Sequence, residues 1–197
     1  SFTTITEKLE PEILTKLITS YLTAMTDIAI KYGGTVDKYI GDAIMIFFGD
    51  PNSKGKKSDA IACVSMALQM KKALKTLRRG WEETGLSESL DVRMGINSDV
   101  CTVGNFGSKD RLDYTVLGNG VNLASRLESS ANSNEILISE NTYNLVKNKI
   151  KCNYYDKIQV KGKSHPIKTF QVDGMVEKQK VNQKIIASSE GFSLSID

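Results

Sequence analysis

The chain has 197 residues, is 40% hydrophobic and 25% charged, and its 26 Lys+Arg against 23 Asp+Glu leave a net charge of +3. That size and composition fit one globular domain, with or without a tail, and exclude a wholly disordered chain, a collagen and a coiled coil. The small positive excess is not gathered in one run, so it does not call for a nucleic-acid partner.

Taken in chain order, residues 9–32 carry Leu14, Leu17, Ile18, Tyr21, Leu22, Met25 and Ile28 at three- and four-residue spacing, which predicts an amphipathic helix. Gly33-Gly34 ends it, because glycine accepts a left-handed cap. Residues 35–40 and 43–48 are β-prone runs around Gly41-Asp42 and predict a hairpin; the second run is nearly all apolar and is expected to be a central strand. A lysine-rich loop leads to a second predicted helix over 59–79, with Ile61, Val64, Leu68, Ala73, Leu74 and Leu77 as core candidates, and then to a loop holding Trp81. Residues 90–97 and 100–107 are expected to pair as a second hairpin, followed by a loop and a short extended piece over 108–117. A helix over 121–130, a strand over 135–138, a helix over 140–149 and a terminal hairpin of 153–160 with 166–172 complete the pattern. Hairpins interleaved with helices predict an α+β fold, a mostly antiparallel, ferredoxin-like sheet with helices packed on it. The domain is expected to span 1–174, and 175–197, where periodicity fades, to be a tail or linker.

Cys63, Cys101 and Cys152 are far apart and form no C-x-x-C pair, so three reduced, mostly buried thiols are expected. The single histidine, His165, precedes Pro166 and reads as a turn residue. No apolar run is read as approaching the roughly 20 residues of a membrane span. The chain opens at Ser1 rather than Met and is expected to be part of something longer.

Three segments can carry chemistry. In Lys38-Tyr39-Ile40-Gly41-Asp42, a glycine at a hairpin tip leaves the next carboxylate exposed on a rigid support, suited to a hard cation such as Mg²⁺. Gly-Asp is equally an ordinary turn pair. In the run from Tyr114 to Arg126, Asn122 and Arg126 share a helical face, and a guanidinium fork suits phosphate oxygens. The plain alternative is an asparagine near a helix start and a solvated arginine. The opening Ser1-Phe2-Thr3-Thr4, just before the first helix, offers hydroxyls and backbone N–H groups either as caps or as an anion site.

Together these pieces resemble the catalytic domain of the class III nucleotidyl cyclases, the adenylyl and guanylyl cyclase family. The resemblance runs from Ser1 to about Val172 through Ser-Phe-Thr-Thr, Lys38 to Asp42, Arg93 to Asn97, Val103 to Ser108, Asp113 to Asn119, Val121 to Glu128 and Val160 to Lys163. It implies conversion of a nucleoside triphosphate to its 3′,5′-cyclic monophosphate and pyrophosphate with two divalent metal ions, Mg²⁺ or Mn²⁺. It assigns Asp42 to metal binding, Asn122 to orienting the ribose and Arg126 to charge on the α-phosphate. Lys38 and Thr115 match the two purine-selecting positions, and both residue types point to ATP. Lys161 matches a lysine that reaches the triphosphate, Phe2 and Thr3 the segment that holds the β- and γ-phosphates, and Arg111 is a further phosphate candidate.

The resemblance further implies a head-to-tail homodimer with two equivalent sites, a regulatory sensor domain in the full-length protein, and a place in the cytoplasm or on the cytoplasmic face of a membrane-anchored parent. The family's other metal aspartate lies three residues before the position of Ser1. Asp99 and Gly120 depart from the family pattern, which often has Gly and Thr there. The alternative reading is a non-catalytic, nucleotide-binding or regulatory module of the same fold.

Overall fold

The computed structural model describes residues 9–83, 90–159, 166–177, 185–189 and 192–196. Helix α1 (Pro11–Tyr32) commits Leu17, Tyr21, Met25 and Ala29, one residue per turn, to the core and stops at Gly33. Helix α2 (Lys56–Glu83) is longer than its pattern suggests because two faces are covered. Met66, Met70, Leu74 and Trp81 pack with α1, whereas Ala60, Val64 and Ala67 pack toward the central sheet. Two apolar stripes blur a single period, which is why Ala60, Ala67 and Met70 are absent from the core read off the sequence. Trp81 is not in a loop: it closes the end of α2, is buried, and its indole N–H donates to Ser20 Oγ at 3.2 Å.

By length and composition α1 passes as a membrane-crossing helix, with a mean hydropathy of 1.3 over its best window, contrary to the expectation of no such run. A core helix passes the same test, and Leu17, Tyr21, Met25 and Ala29 of α1 are packed in one core with α2.

Strands β1 (Thr35–Ile40) and β2 (Ala43–Phe47) form the expected hairpin. Among the described residues β2 pairs with β1 alone and is half-buried, so it is not a central strand. Its apolar side chains Ile44 and Ile46 close the α1–α2 core from one side. The central sheet instead has the order β3-β6-β8-β7, from β3 (Met94–Ile96), β6 (Ile136–Ser139), β7 (Ile150–Ile158) and β8 (Ile167–Met175). β3 runs parallel to β6, and the other pairs are antiparallel.

The expected pairing of 90–97 with 100–107 is therefore wrong. β4 (Thr102–Ser108) pairs with β5 (Arg111–Leu117) across a tight turn, with Ser108 opposite Arg111. Residues 111–114 are exposed, so β5 carries no apolar alternation and reads as loop. Past Met175, β9 (Ile185–Ser189) pairs antiparallel with β10 (Phe192–Ile196).

The sheet is covered on both faces. In β6, Ile136 and Ile138 face α2 and helix α4 (Glu140–Val146), while Leu137 between them faces helix α3 (Asn119–Ser130). All three are fully buried, each contributing about 2 kcal/mol of apolar burial.

Helix α3 sits unusually close to β3. A Cβ built on Gly95 would lie 2.2 Å from both the Ala124 carbonyl oxygen and the Glu128 amide nitrogen. The Arg93 guanidinium adds a 2.6 Å ion pair to Glu128 beside that contact. Gly95→Ala is expected to push α3 off the sheet, lowering stability by roughly 3 kcal/mol, the upper end of overpacking costs. Thermal unfolding followed by circular dichroism checks it; an unchanged midpoint would show that α3 tolerates displacement.

Candidate active site

Two hairpins and one helix carry the flagged residues that are described, and two of them, Lys38 and Thr115, come into direct contact. Asp37 is the extra residue of a β-bulge: Val36 pairs with Ile46 and Lys38 with Met45, leaving Asp37 unopposed. In a regular strand, neighbours 37 and 38 would face opposite sides. Here both reach the same residue of β5. Lys38 Nζ donates to Thr115 Oγ1 at 3.1 Å, and Thr115 Oγ1 donates to Asp37 Oδ2 at 2.6 Å. The same carboxylate oxygen accepts from the Val116 backbone N–H at 3.2 Å, and Asp37 Oδ1 lies 3.2 Å from Lys38 Nζ. The Asp37 side chain is 1% exposed and that of Lys38 43%.

Lys38 and Thr115, 77 residues apart, are thus direct neighbours. Asp37 was missed. Its only signal was an acidic residue inside a β-prone run, and the bulge that turns it inward leaves no mark in a single sequence.

Asp42 follows Gly41, whose φ of 63° makes the turn between Ile40 and Ala43. Its carboxylate is half-buried and close enough to α1 to act on Tyr21, whose phenol is pushed up to about 12 by burial first and by the Asp42 charge second. Among the described residues no three His, Cys, Asp or Glu side chains converge. Asp42 therefore supplies one hard oxygen donor, of the right chemistry for Mg²⁺ or Mn²⁺, and further ligands would have to come from a bound triphosphate and from beyond these residues.

The strand–helix joint passes through Gly118, and α3 presents Asn122 and Arg126 on its exposed face while Leu123 and Leu127 face inward. Among the described residues Arg126 makes only a long 3.5 Å contact to the Gln159 carbonyl, so toward them its fork keeps donors for a ligand. Lys161 lies two residues beyond Gln159. Lys161, Phe2 and Thr3 lie outside the described residues, as does His165. Arg111 sits exposed in the β4–β5 turn, 4.0 Å from Asp113.

The start of α3 is held by a short network. Asn97 Nδ2 donates to the Gly120 carbonyl at 3.1 Å, and Ser139 Oγ donates to Asn97 Oδ1 at 2.7 Å. Ser139 also caps α4, accepting from the Thr142 N–H at 3.3 Å. All three cysteines are free and half-buried. Burial pushes Cys63 up to about 12 and, with the Asp173 charge second, Cys152 to about 11. Burial, then the Asp99 carboxylate, raises Cys101, against hydrogen bonds from the Gly120 and Val121 backbone. None is primed as a nucleophile.

The two departures at Asp99 and Gly120 are one feature. A Cβ on Gly120 would come within 2.8 Å of Asp99 Cβ and 2.9 Å of Cys101 Sγ. A side chain at 99 demands its absence at 120. Gly120→Ala is expected to destabilise the fold, and adding Asp99→Gly to restore part of the loss. A double-mutant cycle in denaturant measures this, and additive effects would mean the positions are independent.

Residues 1–174 match the family described as "Adenylate and Guanylate cyclase catalytic domain". The solved structure of the adenylyl cyclase CyaB from P. aeruginosa is 51% identical with a TM-score of 0.85, covering 91% of this chain and 90% of that one. The guanylyl cyclase Cya2 is 34% identical with a TM-score of 0.83, covering 91% and 89%. An adenylate cyclase of Anabaena cylindrica is 33% identical over 180 residues, 87% of this chain and 34% of that protein. The terminal-differentiation specific adenylate cyclase of Dictyostelium discoideum is 33% identical over 187 residues, 91% of this chain and 8% of its own length. The chain thus spans about a third or less of these curated relatives.

Proposed function

The chain belongs to the adenylate and guanylate cyclase catalytic domain family, and on that premise we propose that it converts ATP to 3′,5′-cyclic AMP and pyrophosphate at the interface of a head-to-tail homodimer. The observation that carries the choice of base is the Lys38–Thr115 contact at 3.1 Å. A lysine donor suits adenine N1, a bare acceptor, and a hydroxyl can accept from the exocyclic amine. Guanine offers the reverse pattern on the same edge, a protonated N1 and a carbonyl.

In the reaction the ribose 3′-oxygen bonds to the α-phosphorus, the bond from that phosphorus to the pyrophosphate oxygen breaks, and the hydroxyl proton is released. Asn122 orients the ribose. Arg126, one helical turn on, stabilises the charge that grows on the α-phosphate oxygens, and stabilisation that grows with that charge raises the rate. Lys161, Phe2 and Thr3 hold the outer phosphates. Divalent metal ions bound at Asp42 with the triphosphate would acidify the 3′-hydroxyl and align it.

Base, ribose and α-phosphate contacts come from one protomer, and Asp42 serves the partner's nucleotide. Tyr39, Ile40, Leu112 and Leu117 support a dimer: they are large apolar side chains left 48–61% exposed on the two site-forming hairpins. A regulatory domain elsewhere in the polypeptide fits the short share of each relative that the chain spans.

The test is cyclic AMP formation from ATP with Mg²⁺ or Mn²⁺, on this chain and on a form extended upstream, with dimerisation checked by ultracentrifugation. Turnover of ATP in preference to GTP is expected. A confirmed dimer that binds ATP without turnover would favour the non-catalytic reading. Asp42→Ala is expected to abolish metal-dependent turnover with the dimer intact. Arg126→Ala is expected to lower kcat by roughly 10²–10³ with a smaller change in KM; equal activity would remove it from the transition state.

A further inference from the structure

We propose that Asp37 sets the base preference of this site by committing the Thr115 hydroxyl to accept, making Asp37 a specificity-determining positioning residue. The inference rests on the ATP reading above and adds what Lys38 and Thr115 alone do not supply.

A threonine hydroxyl is ambivalent: it can donate one hydrogen bond and accept two. Left free to rotate, it could accept from the amine of adenine or donate to the carbonyl of guanine, and so would distinguish the purines poorly. In this site the ambiguity is removed. A carboxylate only accepts, so the 2.6 Å contact between Thr115 Oγ1 and Asp37 Oδ2 uses the hydroxyl proton. An ammonium only donates, so the 3.1 Å contact from Lys38 Nζ uses one acceptor direction on the same oxygen. With a second Lys38 N–H facing Asp37 Oδ1 at 3.2 Å, what remains for a ligand is one acceptor on Thr115 and the third N–H of Lys38. That pair complements an edge carrying an amine beside a bare ring nitrogen.

Three features hold Asp37 in this role. Its side chain is 1% exposed, so water does not compete for its oxygens. The Val116 N–H, donating at 3.2 Å, fixes the carboxylate to β5 rather than to its own strand. The bulge between Val36 and Lys38 is what lets two consecutive side chains converge on one residue. Asp37 also weighs against a guanine-reading exchange at position 38. A glutamate there would face a buried carboxylate where Lys38 Nζ now stands 3.2 Å from Asp37 Oδ1.

The experiment compares ATP with GTP on the dimeric enzyme and on Asp37→Ala, Asp37→Asn and Asp37→Glu. It reads kcat/KM for cyclisation and, independently of turnover, competitive binding of 3′-deoxy-ATP and 3′-deoxy-GTP. The ATP:GTP ratio is expected to fall about tenfold in Asp37→Ala, the discrimination carried by one directed hydrogen bond, mainly through a higher KM for ATP. Asp37→Glu, which keeps the acceptor, is expected to recover part of the ratio. On a Thr115→Val background, Asp37→Ala should leave the ratio where Thr115→Val alone puts it. Should Asp37→Ala fail to fold, Asp37→Asn carries the comparison and is expected to lower the ratio less. Equal losses with both nucleotides, the ratio unchanged, would overturn the inference and leave the ATP reading standing. A wild-type dimer that neither cyclises ATP nor prefers the adenine nucleotide in binding would overturn the ATP reading and this inference with it.

Discussion

A single buried carboxylate ties the site together. Asp37 belongs to the β1–β2 hairpin, yet its firmest hydrogen bonds go to Thr115 and Val116 of the β4–β5 hairpin. Each hairpin pairs only internally among the described residues, so no sheet register fixes one against the other. Burying a carboxylate is costly unless its oxygens are paired, and that cost makes the arrangement specific. Sliding the hairpins would strand a buried charge. A contact that aligns the two hairpins also presents Lys38 and Thr115 side by side, so on the proposed reading the fold and the recognition of the base share one interaction.

The other half of the site depends on steric closeness instead of charge. α3 rests on β3 through Gly95, with backbone against backbone. Its first turn is pinned by Asn97 and abuts Asp99 and Cys101 at Gly120. These residues touch no reacting atom on the proposed reading. They set the height and rotation of the helix that carries Asn122 and Arg126, and contacts of this kind allow little play because neighbouring backbone cannot rotate away.

α1, with its three- and four-residue spacing, was legible from sequence, as was the β7–β8 pair. So was the hairpin tip at Gly41-Asp42, where a turning glycine marks it. What failed did so for identifiable reasons. β5 is exposed over Arg111–Tyr114 and so has no apolar alternation to read. β3 is three residues long, and its partner β6 lies 40 residues on, across a parallel pairing that no turn announces. α2 is buried on two faces and smears its own pattern. Asp37 was hidden because alternation placed it on the face opposite Lys38, and a bulge is a property of the pairing rather than of the strand.

The same geometry bears on how one polypeptide can serve two ends of a nucleoside triphosphate. Thr115 near the end of β5, Asn122 in the first turn of α3 and Arg126 one turn later lie on one uninterrupted strand–turn–helix segment. Four helical residues rise about 6 Å, comparable to the reach from a ribose ring to its α-phosphate. On the proposed reading, a base held at Thr115 would meet, along the same segment, a group for the sugar and then a group for the phosphorus, in the order of the ligand's own covalent chain. Asp42 stands outside that segment, at a hairpin tip facing the Tyr21 side of α1. On the proposed reading, nucleoside recognition and metal ligation fall on two separate elements, and the site would be completed when a second copy brings its own tip to the first copy's segment, which is the physical reason a monomer would be silent and a dimer active.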